Sequence, residues 1–143
     1  MEAIIAHTEK QINDAFFIRK EVFVKEQQVP EEEEIDHLED ESEHIVIYDG
    51  SQPVGAGRWR LKDSYAKLER ICVMKSHRSL GVGAIIMQAL EKAAAARGAS
   101  AFILNAQTRA VPFYEKQGYR VTSGEEFLDA GIPHLEMAKD NKK

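Results

Sequence analysis

Cysteine is scarce in this sequence, since Cys72 is the single one among 143 residues. One thiol cannot form a disulfide framework within the chain or a thiolate metal cluster, so neither is expected. The sequence also lacks a run of about 18 apolar residues, the length that crosses a bilayer. The first six residues carry Glu2 and no basic cluster before their apolar stretch, unlike a signal peptide. We therefore expect a cytoplasmic protein with no membrane partner.

Positive charge is in the minority, with 19 Lys and Arg against 24 Asp and Glu and a net charge of −5. Residues 31–43, which we call the acidic arm, contain nine acidic residues and no Lys or Arg, so the rest of the chain carries +4. The sequence shows no basic stripe, and nucleic acid is therefore not expected as a partner. The positive remainder leaves room for a locally basic site that binds an anionic small molecule.

Hydrophobic periodicity predicts the fold class. A length of 143 residues suits one domain, 1–143, and no linker or repeat divides it. Period-2 patterns predict strands at 3–6, 44–48, 53–61, 67–73, 101–104, 119–122 and 134–138. Helical spacing predicts helices over 8–25, 83–97 and 109–117. A strand, helix, strand order over 67–104 requires parallel pairing of the two strands. The prediction is an α/β domain with a mixed, mostly antiparallel sheet and helices on both faces.

A glycine-rich segment, Arg78-Ser79-Leu80-Gly81-Val82-Gly83, lies between a predicted strand and the long helix. Its glycines let several backbone N–H groups point to one place, and the helix N-terminus and Arg78 add positive charge. This placement predicts an anion site sized for a diphosphate, with a plain turn as the alternative. A Walker loop would need Lys after Gly83, where Ala84 stands, and a dinucleotide fold would need a third glycine.

Together with this segment, three others resemble the GCN5-related N-acetyltransferase (GNAT) family, and its ElaA/YjcF-like branch in particular. They are Leu68-Glu69-Arg70-Ile71-Cys72-Val73 before the loop, the stretch from Ala110 to Tyr119 after it, and the pair Glu21–Gln27 and Ala130–His134 near the two ends. The resemblance implies a GNAT-like sheet whose central parallel strands splay apart. It also implies acetyl-CoA as cosubstrate and an amine acceptor, either a small molecule or a peptide. Dimers are frequent in the family, so a homodimer is compatible with it.

The resemblance further assigns residues to the acetyl-CoA site. They are Ile71, Cys72, Val73, Arg78, Ser79, Leu80, Gly81, Val82, Gly83, Ala84, Gln107 and Tyr114. A pantetheine arm would add like a strand to the backbone of Ile71 and Val73. Gln107 stands where many family members have Asn. Strand alternation places Cys72 away from Glu69, which favours a buried, small apolar residue over a nucleophile.

Three residues are candidates for proton handling. Tyr114, on the helix that carries a general acid in the family, has an ordinary pKa of about 10 against about 8.5 for a thiol, which favours a hydrogen bond to the leaving thiolate over full proton donation. A primary amine is almost fully protonated at neutral pH, so a base is needed. Alternation places Glu69 on the strand face of Ile71 and Val73, and His134 is the second candidate. Both could instead be structural.

Two questions stay open from the sequence. The acidic arm is either a solvated loop, as charge runs usually are, or, by the family resemblance, a wall of the acceptor groove that includes Asp36 and suits a cationic amine. The predicted activity is direct acetyl transfer in a ternary complex, because no residue has the setting of an activated nucleophile. The alternative function is a module or sensor that binds CoA or acetyl-CoA without efficient turnover.

Overall fold

The computed structural model describes residues 1–141, and its centre is one sheet. The strands are β1 Glu2–Ile5, β2 Glu43–Asp49, β3 Gln52–Lys62, β4 Tyr65–Val73, β5 Ala101–Gln107, β6 Arg120–Val121, β7 Phe127–Asp129 and β8 Ile132–Asp140. In the described range their order is β1-β2-β3-β4-β5-β8-β6, with β7 paired to β8. Neighbours run antiparallel except β4 and β5, which are parallel. The predicted mixed sheet is confirmed, while β7 had no signal in the sequence pattern.

The helices are α1 Glu9–Arg19, α2 Glu31–Glu34, α3 Val82–Ala96 and α4 Val111–Lys116. Helix α1 begins with a capping box, in which Thr8 accepts from the Gln11 backbone N–H and the Gln11 side chain accepts from Thr8. It continues as a π-helix over Lys20–Glu26, and not as one α-helix to Lys25 as its spacing predicted. Within residues 1–141, no helix combines the length and apolar character needed to span a bilayer.

Helices cover both faces of the sheet, as predicted. On β2, Ile45 and Ile47 pack with the core beneath α3, whereas Val46 between them packs with Ala15 and Ile18 of α1. Helix α3 comes closest where β3 has glycine. A Cβ on Gly55 would lie 2.8 Å from Val82 Cγ1, and one on Gly57 would lie 3.0 Å from Leu90 Cδ1. Glycines two apart on one strand face therefore allow the helix to touch the strand backbone.

The parallel pair β4 and β5 splays apart after a short paired stretch. The paired residues are Ala66 with Phe102, Lys67 with Ile103 and Leu68 with Leu104. Strand β4 then continues to Val73 and β5 to Gln107. From Glu69 onward the facing edges of the two strands are separated, so backbone groups there are available to a ligand. The predicted splay of the central pair is confirmed.

The acidic arm is folded onto the sheet, which corrects the solvated-loop interpretation for part of it. The arm forms α2 and a 3₁₀ turn at Glu39–Glu41. Glu34 is 1% exposed, and its Oε1 lies 2.7 Å from Arg19 Nε. Asp36 accepts two hydrogen bonds from Arg58, at 2.9 and 3.0 Å. Burial by itself raises the pKa of Asp36, but the hydrogen bonds and charge of Arg58 outweigh it and lower that pKa to about 2. The remaining carboxylates of the arm are mostly exposed.

Candidate active site

A cleft of about 850 Å³ opens where β4 and β5 separate. It extends from the glycine-rich loop, along β4 and past α4, to His134 on β8. It brings together nearly all the predicted site residues: Glu69, Ile71, Cys72, Val73, Arg78, Ser79, Gly81, Val82, Gly83, Ala84, Gln107, Tyr114 and His134. Leu80 is the exception, because its side chain is 57% exposed and does not line the cleft. Residues of the acidic arm are also absent from the lining.

A β-bulge at Arg70 changes which face each β4 residue presents. Arg70 has a φ of 60°, and two β4 residues oppose Gly57 between the pairs Arg58–Glu69 and Ala56–Cys72. Ile71 and Val73 pack toward α3, whereas Cys72 packs with α1. The prediction that Glu69 shares a face with Ile71 and Val73 is therefore wrong, as is the prediction that Cys72 faces away from Glu69. Simple alternation fails because the extra residue shifts the pattern by one.

The Glu69 carboxylate is held by two arginines of β3. Its Oε1 accepts from Arg58 Nε and Nη2, at 3.3 and 3.1 Å, and from Arg60 Nε at 3.2 Å. Arg58 is 1% exposed and also pairs with Asp36 and Glu39 of the acidic arm. These charge-assisted bonds all end on Oε1; they fix the carboxylate and favour its ionised form. Glu69 thus lies in the cleft as part of an ionic network.

His134 lies at the other end of the cleft with a defined tautomer. It is 8% exposed, opposite Gln107 in the β5–β8 register, and its ring stacks on Phe127. Its Nδ1 lies 2.6 Å from the Ile132 carbonyl oxygen. A carbonyl only accepts, so Nδ1–H donates and Nε2 keeps its lone pair. This ring is oriented to accept a proton at Nε2.

The loop before α3 has the geometry of an anion site. Ser79 and Gly81 have φ values of 67° and 83°, and Gly81 is the N-cap of α3 without a side-chain cap. The first N–H groups of a helix have no acceptor inside it, and here they border the cleft. Gly83 has a different role from the one its motif predicts. A Cβ there would lie 3.0 Å from Phe113 Cζ, so this glycine permits contact between α3 and α4.

Arg78 is already paired with a residue that the sequence did not suggest. Its Nη1 and Nη2 donate to Glu26 at 2.9 and 2.6 Å, and its Nε donates to the Val73 carbonyl at 3.1 Å. The hydrogen bond and charge of Arg78 lower the pKa of Glu26. Glu26 ends the π-helix, 52 positions before Arg78. No local sequence signal connects two residues so far apart.

Burial keeps both the Tyr114 hydroxyl and the Cys72 thiol protonated. Tyr114 is 8% exposed on α4, with its ring edge-on to Phe113 and Tyr119. Burial, with a smaller effect of Cys72, raises the pKa of Tyr114 above its ordinary value, so the hydroxyl stays protonated as a donor. Burial raises the pKa of Cys72 to about 12, so this thiol is not a nucleophile at neutral pH.

Gln107 lines the cleft with its amide in use on both sides. Its Nε2 donates to Gln27 Oε1 at 2.8 Å, and its Oε1 accepts from Arg109 Nε at 3.1 Å. Gln27 comes from the chain just after the π-helix and also lines the cleft. The Gln107 side chain, longer than the Asn of many family members, therefore connects β5 to the end of the π-helix across the cleft. One N–H of Nε2 and one lone pair of Oε1 remain for a ligand amide.

Comparison with known proteins places this architecture in a family. Residues 4–141 match the family model described as "Acetyltransferase (GNAT) domain". This chain belongs to the GNAT acetyltransferases. The Bacillus subtilis (strain 168) protein named "Uncharacterized N-acetyltransferase YjcF" is 75% identical over 140 residues, which cover 98% of this chain and 100% of YjcF. The resemblance to the GNAT family and its YjcF-like branch is thereby confirmed.

Solved structures share the fold at lower identity. Escherichia coli ElaA superimposes with a TM-score of 0.84 at 23% identity, covering 97% of each chain. An aminoglycoside 6'-N-acetyltransferase complexed with coenzyme A superimposes with a TM-score of 0.78 at 17% identity, covering 98% of this chain and 97% of that one. Both superpositions show that this chain shares its overall fold with these structures.

Proposed function

We propose that this chain transfers the acetyl group of acetyl-CoA directly to an amine in a ternary complex. One observation carries the proposal: a single cleft joins the N-terminus of α3, the unpaired edge of β4 and the side chains of Tyr114 and His134. An anion site, a strand edge and two proton-handling groups are the parts that such a transfer needs.

The residues present fit acetyl-CoA. Open N–H groups at the start of α3 suit a diphosphate, and a Cβ on Gly81 would meet nothing within 4 Å, so space remains beside the loop. Arg109 and Lys116 add positive charge along the same lining, as does Arg78, whose charge Glu26 offsets while no ligand is bound. The separated edge of β4 offers backbone partners for an extended amide-containing arm. The coenzyme A bound by the structurally similar aminoglycoside acetyltransferase supports the same ligand class.

When bound, acetyl-CoA supplies an acyl carbon already activated as a thioester. Tyr114 holds its proton at the hydroxyl oxygen and donates a hydrogen bond toward the departing sulfur. His134 accepts the amine proton at Nε2, directly or through one water. Glu69, fixed by Arg58 and Arg60, orients groups on the acceptor side. Because the Cys72 thiol stays protonated, it does not serve as the nucleophile of a covalent acyl-enzyme step.

The decisive experiment combines binding with turnover. Acetyl-CoA binding is measured by calorimetry, and release of the CoA thiol is followed across a panel of amines. We expect binding together with thiol release that depends on at least one amine. A Lys92→Gln variant, altered at an exposed residue on the outer side of α3, serves as a matched control and keeps the parent rates. Binding without turnover of any amine would instead support a CoA-binding module.

A further inference from the structure

The acceptor side of the cleft includes a strip of the sheet that α1 does not cover. Helix α1 packs mainly over β2 and β3. Before the bulge, Leu68 faces the core beneath α3, so Lys67 and Glu69 on either side of it face the α1 side. Lys67 is partly buried and lines the cleft. Lys67 belongs to the second-last residue pair before β4 and β5 separate.

Two cations stand directly opposite each other on this strip. Arg60 of β3 and Lys67 of β4 are partners in the antiparallel register. Like charges in directly opposed positions destabilise a sheet unless a counter-charge lies between them. Arg60 uses only its Nε, on Glu69, in the described part of the chain. Within residues 1–141, Lys67 Nζ has no carboxylate within 4.0 Å and no hydrogen-bond partner.

The nearby arginines, unlike Lys67, each have carboxylate partners. Arg19 pairs with Glu34 and Glu39, Arg58 with Asp36, Glu39 and Glu69, and Arg70 with Glu34 and Asp36. The carboxylates of the acidic arm that pair with these arginines are thus already neutralised, and they do not line the cleft as a groove for a cationic amine. Burial lowers the pKa of Lys67; Glu69 and Glu136 oppose that shift, and Arg60 and Lys62 add to it. Lys67 is thus a cation of this strip without a close carboxylate in the described range, and Arg60 has only Glu69, which it shares with Arg58.

We propose that the acceptor is an amine that also carries a carboxylate or phosphate, and that Arg60 and Lys67 bind this anionic group. The inference rests on the proposed acetyl transfer and names the acceptor class for it. Along β5, the partner of Lys67 lies four positions before the partner of His134, a backbone span of about 13 Å. The anion and the amine of the acceptor are therefore several bonds apart.

Matched acceptor pairs test the inference. The pairs are γ-aminobutyrate with its amide, and phosphoethanolamine with ethanolamine, so that the carboxylate and the phosphate are tested separately. In the parent we expect kcat/KM to be about tenfold or more higher for an anionic member than for its neutral partner, the usual effect of one charged hydrogen bond. Lys67→Gln removes this preference, Lys67→Arg retains it, and Lys92→Gln, with the same loss of charge on another face, leaves it unchanged.

A binding measurement accompanies turnover. In the presence of CoA, the preferred anionic amine should raise the thermal unfolding midpoint of the parent and of Lys67→Arg, but not that of Lys67→Gln. Equal use of both members of each pair, or equal loss for both in Lys67→Gln, would overturn the inference while leaving the acetyl transfer established. Acetyl-CoA binding with no amine turned over would overturn the proposed function, and a missing thermal shift would then overturn the anion site as well.

Discussion

Glu69 and Ile71 lie two residues apart on β4 and point to opposite faces of the sheet. The left-handed backbone of Arg70 separates them, with a φ of 60°. Ile71 therefore packs with the α3 side, where the glycine-rich loop begins, and Glu69 joins Arg58 and Arg60 on the α1 side. On β4, the residues beside the proposed acetyl-CoA site thus face the α3 side of the sheet. The charged residues beside the proposed acceptor site face the α1 side.

This arrangement predicts that His134, and not Glu69, is the base. His134→Gln should lower kcat by about 100-fold, the usual effect of losing a general base, with acetyl-CoA affinity unchanged. The deficit should shrink as the pH rises toward the amine pKa, because more acceptor is then neutral. The measurement is the pH profile of kcat for the parent, for His134→Gln and for Glu69→Gln. If Glu69→Gln shows this pattern while His134→Gln keeps the parent profile, the two assignments are reversed.

Replacing Tyr114 by Phe tests the donor to the leaving sulfur. The ring is buried against Phe113 and Tyr119, so Tyr114→Phe preserves packing and removes only the hydroxyl. We expect turnover to fall by about 100-fold or more, as for loss of one electrostatic donor, with acetyl-CoA binding retained. Single-turnover kinetics measure the chemical step, and calorimetry measures acetyl-CoA binding, in the parent and in Tyr114→Phe. An unchanged chemical step would mean that Tyr114 only packs.

Asp36 and Asp40 of the acidic arm provide a test variant and its matched control. Asp36→Asn weakens one charged partner of the buried Arg58, which keeps Glu39 and Glu69, and should lower the free energy of unfolding by about 2 kcal/mol. Asp40 is exposed and lies outside the arginine pairs, so Asp40→Asn should leave stability unchanged. Denaturant unfolding measures both variants. Similar stability in the two would show that the arm is only a solvated segment.

The same carboxylates set the acid limit of stability. Despite burial, which acts the other way, hydrogen bonds from arginines lower the pKa values of Asp36 and Glu39 to about 2 in the folded state. A lowered folded-state pKa adds stability above the ordinary value, and that stability is lost as the pH falls through the folded-state value. The parent should therefore lose stability between the ordinary carboxyl range and about pH 2. This loss should be smaller in Asp36→Asn than in Asp40→Asn, measured by unfolding at successive pH values.

Glu26→Gln tests the ion pair at the glycine-rich loop. Glu26 neutralises Arg78, and a bound diphosphate would compete for the same guanidinium. We expect acetyl-CoA to bind several-fold more tightly to Glu26→Gln than to the parent, with the difference shrinking at high salt because both side chains are partly exposed. Glu21→Gln, which breaks an exposed pair on the same π-helix, is the control. Weaker binding in Glu26→Gln would mean that Glu26 positions Arg78 for the ligand.

The sequence was sufficient for features that depend on regular periods or on glycine. Alternation predicted the strands around β2 and β3, and the glycine-rich loop predicted where α3 begins. The bulge at Arg70 escaped prediction because a non-glycine residue in a left-handed conformation carries no sequence signature, and every facing argument after it was shifted. The arm was misjudged for a different reason. Its counter-charges, Arg19, Arg58 and Arg70, come from three other elements, so a charge run viewed alone looked solvated.

The two contacts of α3 with the glycines of β3 have a consequence for ligand recognition. Val82, the first residue of the helix, rests against Gly55, and Leu90 rests against Gly57 about two turns later. Both side chains are buried, so outward movement of the helix would expose apolar surface and is disfavoured. Its N–H groups therefore hold their orientation before a ligand arrives, and binding loses little conformational entropy in arranging them. Gly55 and Gly57 thus contribute to affinity through preorganisation, from beneath the helix.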